Sequence, residues 1–133
     1  MKILIVEDEF IIAMDLKMQV EYLGYTVLGI ENSAESAINK IPEFSPDLVL
    51  MDILLKGEMD GIEATKIIWE QFKIPVIYIT AHSDRLTLER VKNSPGRGFL
   101  NKPVSTDDLK TAIELAFNQT PNIACQNKIT THP

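Results

Sequence analysis

Asp47-Leu48-Val49-Leu50-Met51-Asp52 sets four apolar residues between two acids. A strand with one wet face would alternate apolar and polar residues. This stretch does not, so it reads as a strand covered on both faces. Four further apolar runs lie along the chain: Lys2–Val6, Tyr25–Ile30, Pro75–Ile79 and Gly98–Leu100.

Segments of helical period separate these runs. Phe10, Ile11, Met14, Leu16, Met18 and Leu23 recur at roughly helical spacing up to Gly24, a C-terminal stop. Ser33 is a good N-cap, and residues 36–44 read as a helix that Pro42 should end near Ile41. Asp60 caps a segment from Gly61 to Phe72 carrying Ile62, Ile67, Ile68 and Phe72. Residues 83–93 predict a highly charged helix, broken by Pro95-Gly96. Ser105, with Asp108 three residues on, opens a last helix whose apolar side is Leu109, Ile113, Leu115, Ala116 and Phe117. Met14, Met18 and Met51 are expected in the core. Five strand–helix units predict an α/β fold with a parallel sheet covered on both sides. Right-handed crossovers make it an open doubly wound sandwich.

Composition narrows the function. The 133 residues suit one domain. A net charge of −6 argues against an overall basic surface for nucleic acid. The longest apolar runs fall well short of a bilayer span, and no secretory segment follows Met1, so the chain reads as cytoplasmic with no membrane partner. Cys125 is a lone cysteine, which leaves no internal disulfide or cysteine metal cluster. Residues 1–60 hold twelve acids and four lysines (−8), whereas residues 61–133 hold seven acids and nine basic residues (+2). That asymmetry hints at a carboxylate cluster with a cation from later in the chain. Residues 1–118 read as the domain, and residues 119–133 as a flexible polar tail.

In open parallel sheets, sites form at the carboxyl ends of the strands, near the point where strand order reverses. The first strand ends in Glu7-Asp8-Glu9, the third in Asp52, the fourth in Thr80-Ala81 and the fifth in Asn101-Lys102-Pro103. Crowded carboxylates repel one another and resist ionisation without compensation. Their oxygen-only donor set suits a hard cation such as Mg²⁺. Lys102 adds a point charge for a phosphate or carboxylate oxygen, and Thr80 adds a hydroxyl. These are the groups wanted for transfer of a phosphoryl group onto a carboxylate.

The ordered set Glu7-Asp8, Asp52, Thr80-Ala81, Lys102-Pro103 closely resembles the receiver domain of two-component response regulators, as does Asp60-Gly61-Ile62-Glu63. The resemblance covers residues 2–118. It implies a flavodoxin-like three-layer sandwich, with a five-stranded parallel sheet in the order 2-1-3-4-5 and five flanking helices. By the same resemblance Asp52 would be the phosphoacceptor. Its donor would be a histidine kinase or phosphotransfer protein. Asp8, Asp52, the Leu54 backbone carbonyl and, directly or through water, Glu7 would hold Mg²⁺. Lys102 and Thr80 would bind phosphoryl oxygens, and Phe99 would be the aromatic switch residue. The chain would then be a signalling domain, not an enzyme. Its output would go to a downstream protein or to an effector domain in a longer protein. Homodimerisation through the fourth helix, fifth strand and fifth helix stays open.

One local departure from the usual pattern stands out. The family commonly has a proline two or three residues after the acceptor and a slightly shorter loop; here Gly57 takes over the turn, with Lys56 and Glu58 at its tip. Leu54 places an apolar residue near the site, and His82 reads as a plain loop residue. One rival is a phosphatase-like enzyme with an Asp nucleophile, which would need a second Asp where Leu54 stands. Another is a pseudo-receiver, an interaction domain without phosphorylation. Neither glycine-rich phosphate cradle of a nucleotide-binding module is present.

Overall fold

Branched apolar residues build the middle of the sheet because they fit a pleated surface that is dry on both faces. In the computed structural model, which describes residues 1–81 and 84–118, the strands are β1 (Lys2–Val6), β2 (Thr26–Glu31), β3 (Leu48–Asp52), β4 (Val76–Thr80) and β5 (Gly98–Asn101). All neighbouring pairs are parallel, in the order β2-β1-β3-β4-β5. Every residue of β3 and β4 is buried, whereas the edge strand β2 is not fully covered anywhere.

Helices α1 (Phe10–Tyr22), α2 (Ala34–Phe44), α3 (Gly61–Phe72), α4 (Arg85–Lys92) and α5 (Thr106–Asn118) cover the two faces. Side chains alternate across each strand. Ile3, Ile5, Leu48 and Leu50 pack against Leu16, Val20, Leu109 and Ile113 of α1 and α5. Leu4, Val6, Val49 and Met51 pack against Ala37, Ile41, Ile62 and Ile68 of α2 and α3. Each such Val, Leu, Ile or Met side chain taken from water contributes about 1.5–3 kcal/mol. The flavodoxin-like doubly wound fold expected from the sequence is therefore the one observed. Strand order reverses between β1 and β3, which opens a crevice at their carboxyl ends.

Three local expectations are corrected. Helix α2 does not stop at Ile41; it runs through Pro42 to Phe44. Proline costs a helix one backbone donor, but here this falls in the last turn. Ile41 and Phe44 continue the packed face, and Ser45 closes the helix in the left-handed region at φ 47°. Met18 is not core. It lies on an outward face of α1 with Ile11 and Tyr22, which are 82% and 83% exposed, while Ala13, Leu16 and Val20 face the sheet. In α5, Leu115 and Phe117 are partly exposed and Leu109, Ile113 and Ala116 carry the buried face. Described helix α4 begins at Arg85, with Asp84 as its N-cap accepting from the Thr87 amide. His82, Ser83, Cys125 and the tail at 119–133 lie outside the described residues.

Candidate functional site

Parallel strands deliver the expected residues to one edge of the sheet. Glu7 and Asp8 follow β1, Asp52 ends β3, Thr80 ends β4, and Lys102 follows β5. Backbone bonds hold these ends together: the Glu7 amide donates to the Glu31 carbonyl (2.9 Å) and the Lys102 amide to the Thr80 carbonyl (2.9 Å). The Lys102–Pro103 peptide is cis.

Glu7 and Asp52 are nearly withdrawn from water, at 2% and 4% exposure. Lys102 Nζ lies 2.7 Å from Glu7 Oε1 and 3.4 Å from Asp52 Oδ2. Glu7 Oε2 accepts from the Glu9 amide (3.1 Å), and Asp52 Oδ1 accepts from the Leu54 amide (3.3 Å). Asp8 is half-buried, and its Oδ2 accepts from the Lys56 amide (3.2 Å). Carboxylate oxygens of Glu7, Asp8 and Asp52 all lie within 4.8 Å of one another. Three acids thus face one ammonium.

The electrostatics follow. Burial, and then the charge of Glu7, push the Asp52 carboxyl up to about 7, although Lys102 pulls the other way. Burial works against the charge on Lys102. Its ion pairs with Glu7 and Asp52 outweigh that, so its pKa is raised. The donor set fits a hard divalent cation, which would relieve the carboxylate crowding.

Around this centre, Gly57 turns the β3–α3 loop at φ 110°, as its sequence position suggested. The Gly61 amide donates to the Ile53 carbonyl (2.9 Å). A Cβ at Gly61 would overlap the carbonyl oxygen of Asp52, so α3 starts hard against the backbone of that residue. Leu54 is half exposed and Thr80 is fully buried. Phe99 is half-buried, in register with Tyr78, and packs on the α2–α3 face of the sheet.

Sequence reasoning brought Glu7, Asp8, Asp52 and Lys102 to one place, and they meet there. Among the contacts it missed, three bear on the site and its surroundings. Arg90 of α4 binds Asp60 at 2.7 Å. The buried Tyr78 hydroxyl is 2.7 Å from Ser94 Oγ. Lys102 has Glu7 as its shorter ion pair. No local pattern marks these pairs, because each joins elements distant along the chain.

The profile of the response regulator receiver domain family matches residues 3–114. The transcriptional regulatory protein PdtaR of Mycobacterium tuberculosis is 36% identical over 118 residues, which are 89% of this chain and 57% of PdtaR. The phyllosphere-induced regulator PhyR of Methylorubrum extorquens is 43% identical over 119 residues, 87% of this chain and 43% of PhyR. The chain spans about half the length of these curated relatives. Among solved structures, the signal receiver domain of a modulated diguanylate cyclase from Desulfovibrio desulfuricans G20 superposes with a TM-score of 0.82 at 36% identity, covering 99% of this chain and 98% of that one. Among the described residues no helix is long and apolar enough to cross a membrane. With the fold, the sheet-edge residues and these relatives in agreement, the chain belongs to the receiver domain family of two-component response regulators.

Proposed function

We propose that this chain takes a phosphoryl group onto Asp52 from the phosphohistidine of a histidine kinase or phosphotransfer protein, and so alters a protein-binding surface. The observation that carries this reading is the buried Asp52 carboxylate, grouped with two other acids and lying 3.4 Å from the Lys102 ammonium. In the transfer, an Asp52 oxygen attacks phosphorus and a P–O bond forms. The P–N bond to imidazole breaks, and the departing nitrogen keeps the electron pair and takes up a proton.

Asp52 attacks as the carboxylate, so its raised pKa makes charge compensation part of the chemistry. Glu7, Asp8, Asp52 and the Leu54 carbonyl would hold Mg²⁺, which supplies charge neutralisation for carboxylates and phosphoryl oxygens. Lys102 leaves Glu7 for one phosphoryl oxygen, and Thr80 donates its hydroxyl to another. Phosphorylation brings about −1.5 to −2 charge to this edge. Movement of Thr80 toward it leaves room for Phe99 to turn, which changes the surface around α4, β5 and α5. The outward apolar residues Ile11, Met18 and Tyr22 on α1 support docking of a protein donor beside the acidic edge. A solved relative, PhyR of Bartonella quintana, is an anti-anti-sigma factor, which favours output through protein contact. Residues 1–118 make up the receiver unit, acting inside the cell on a downstream protein or an attached effector.

The test is incubation with acetyl phosphate with and without Mg²⁺, read by intact mass. The wild type should gain one phosphoryl group only with the metal, and Asp52→Asn should gain none. Equal labelling of the two proteins would sink the assignment of Asp52.

A further inference from the structure

Helix α4 has little apolar anchorage. Of its eight residues only Val91 is buried, and Leu86 is 73% exposed. Among the described residues, polar links tie it down at two points. Near its C-terminal end, Ser94 Oγ donates to the Val91 carbonyl (2.8 Å) and meets the buried Tyr78 hydroxyl of β4 (2.7 Å). On its outer side, Arg90 reaches Asp60 Oδ2 at 2.7 Å.

Asp60 has a second job. Its Oδ1 accepts from the amides of Ile62 (3.0 Å) and Glu63 (2.9 Å), while the Glu63 carboxylate accepts from the Asp60 amide (3.0 Å). This capping box fixes the first turn of α3. The next residue is Gly61, which packs directly on the Asp52 carbonyl and bonds the Ile53 carbonyl. One carboxylate therefore touches α4 through one oxygen and the first turn of α3 through the other, and Gly61 in that turn packs on the segment bearing Asp52.

We propose that the Arg90–Asp60 pair is a latch that sets the position of α4 against residues 52–61. The latch itself stands independently of phosphorylation. Only its link to signalling rests on the reading of Asp52: a displacement there reaches α4 through Gly61 and Asp60 and opens the pair. An exposed ion pair shifts an opening equilibrium by only about two- to five-fold. That suffices here because, among the described residues of α4, only Val91 is buried.

Amide hydrogen exchange of the protein, without phosphodonor or metal, tests the latch over residues 85–94. The variants are Arg90→Gln, Asp60→Asn, the double substitution and Arg90→Lys. Asparagine caps a helix as well as aspartate does, so α3 keeps its start. Each single variant should exchange about two- to five-fold faster in α4, with residues 61–72 unchanged. The double variant should go no further than either single one, and Arg90→Lys should recover part of the protection. Unchanged α4 exchange in Arg90→Gln, or effects that multiply in the double variant, would overturn the latch.

A second arm measures beryllofluoride affinity with Mg²⁺. If phosphorylation opens the pair, Arg90→Gln should bind up to the same factor more tightly, since the pair no longer opposes the change. Equal affinities would overturn the link to Asp52. If the wild type neither binds beryllofluoride nor takes label from acetyl phosphate, the proposed function fails, while the exchange result still decides the latch.

Discussion

Lys102 and Glu7 form the shorter ion pair at the sheet edge, 2.7 Å from Nζ to Oε1, against 3.4 Å to Asp52 Oδ2. The lysine is thus drawn toward the acid at the end of β1, and a cation held by Glu7 would compete with it. Lys102 bridges two nearly buried carboxylates, so its loss leaves both without an opposite charge. Lys102→Met should destabilise the metal-free protein by about 2–4 kcal/mol at pH 8. The loss should be smaller at pH 5, where Asp52 carries a proton. Urea denaturation in EDTA measures it; an equal loss at both pH values would count against this account.

Asp52 has its pKa raised from 3.8 to about 7 by burial and by Glu7. The folded state therefore holds this proton more tightly than the unfolded chain. The resulting stability is fully present below about pH 4 and is lost as pH rises through about 7. Asp52→Asn removes the titrating group. In EDTA the variant should gain on the wild type by on the order of a few kcal/mol between pH 4 and pH 8. A stability difference that does not vary with pH would refute this.

Mg²⁺ needs the carboxylate form, so protons compete with it. Adding Mg²⁺ should raise the Tm of the wild type at pH 8, and clearly less at pH 5.5. Asp52→Asn and Asp8→Asn should each weaken the response. Calorimetric titration supplies the affinities; a Kd indifferent to pH would count against Asp52 as a Mg²⁺ ligand.

Gly61 begins α3, and in a helix interior alanine is intrinsically better than glycine by about 0.8–1 kcal/mol. Its close approach to the Asp52 carbonyl reverses that preference. Gly61→Ala should destabilise by about 1–3 kcal/mol, because backbone must move to admit the methyl group. Chemical denaturation decides the sign. A stabilised variant would show that the contact is loose.

The layering of the fold was legible in five apolar runs, because a strand covered on both faces records its burial in its own residues. The strand ends were legible too: a parallel sheet brings the residues after β1, β3, β4 and β5 to one edge wherever those strands lie. Pro42 misled because a helix-breaking preference is local, whereas the packing of Ile41 and Phe44 that carries α2 past it is not. The apolar residues of α1 were visible as a helix. Which of them face the sheet was not, since apolar residues stand on both sides: Ala13, Leu16 and Val20 on one, Ile11, Met18 and Tyr22 on the other.

From its residues alone, this protein is an α/β sandwich with acids and a lysine at one sheet edge. Only the tertiary structure decides that Lys102 leans on Glu7, that Asp60 holds Arg90, and that Tyr78 meets Ser94. The physical reason is range. Hydrophobic period is written within a few residues, but an ion pair or buried hydrogen bond needs two groups within about 3 Å. Strand order and register set that distance between residues as much as ninety-five positions apart.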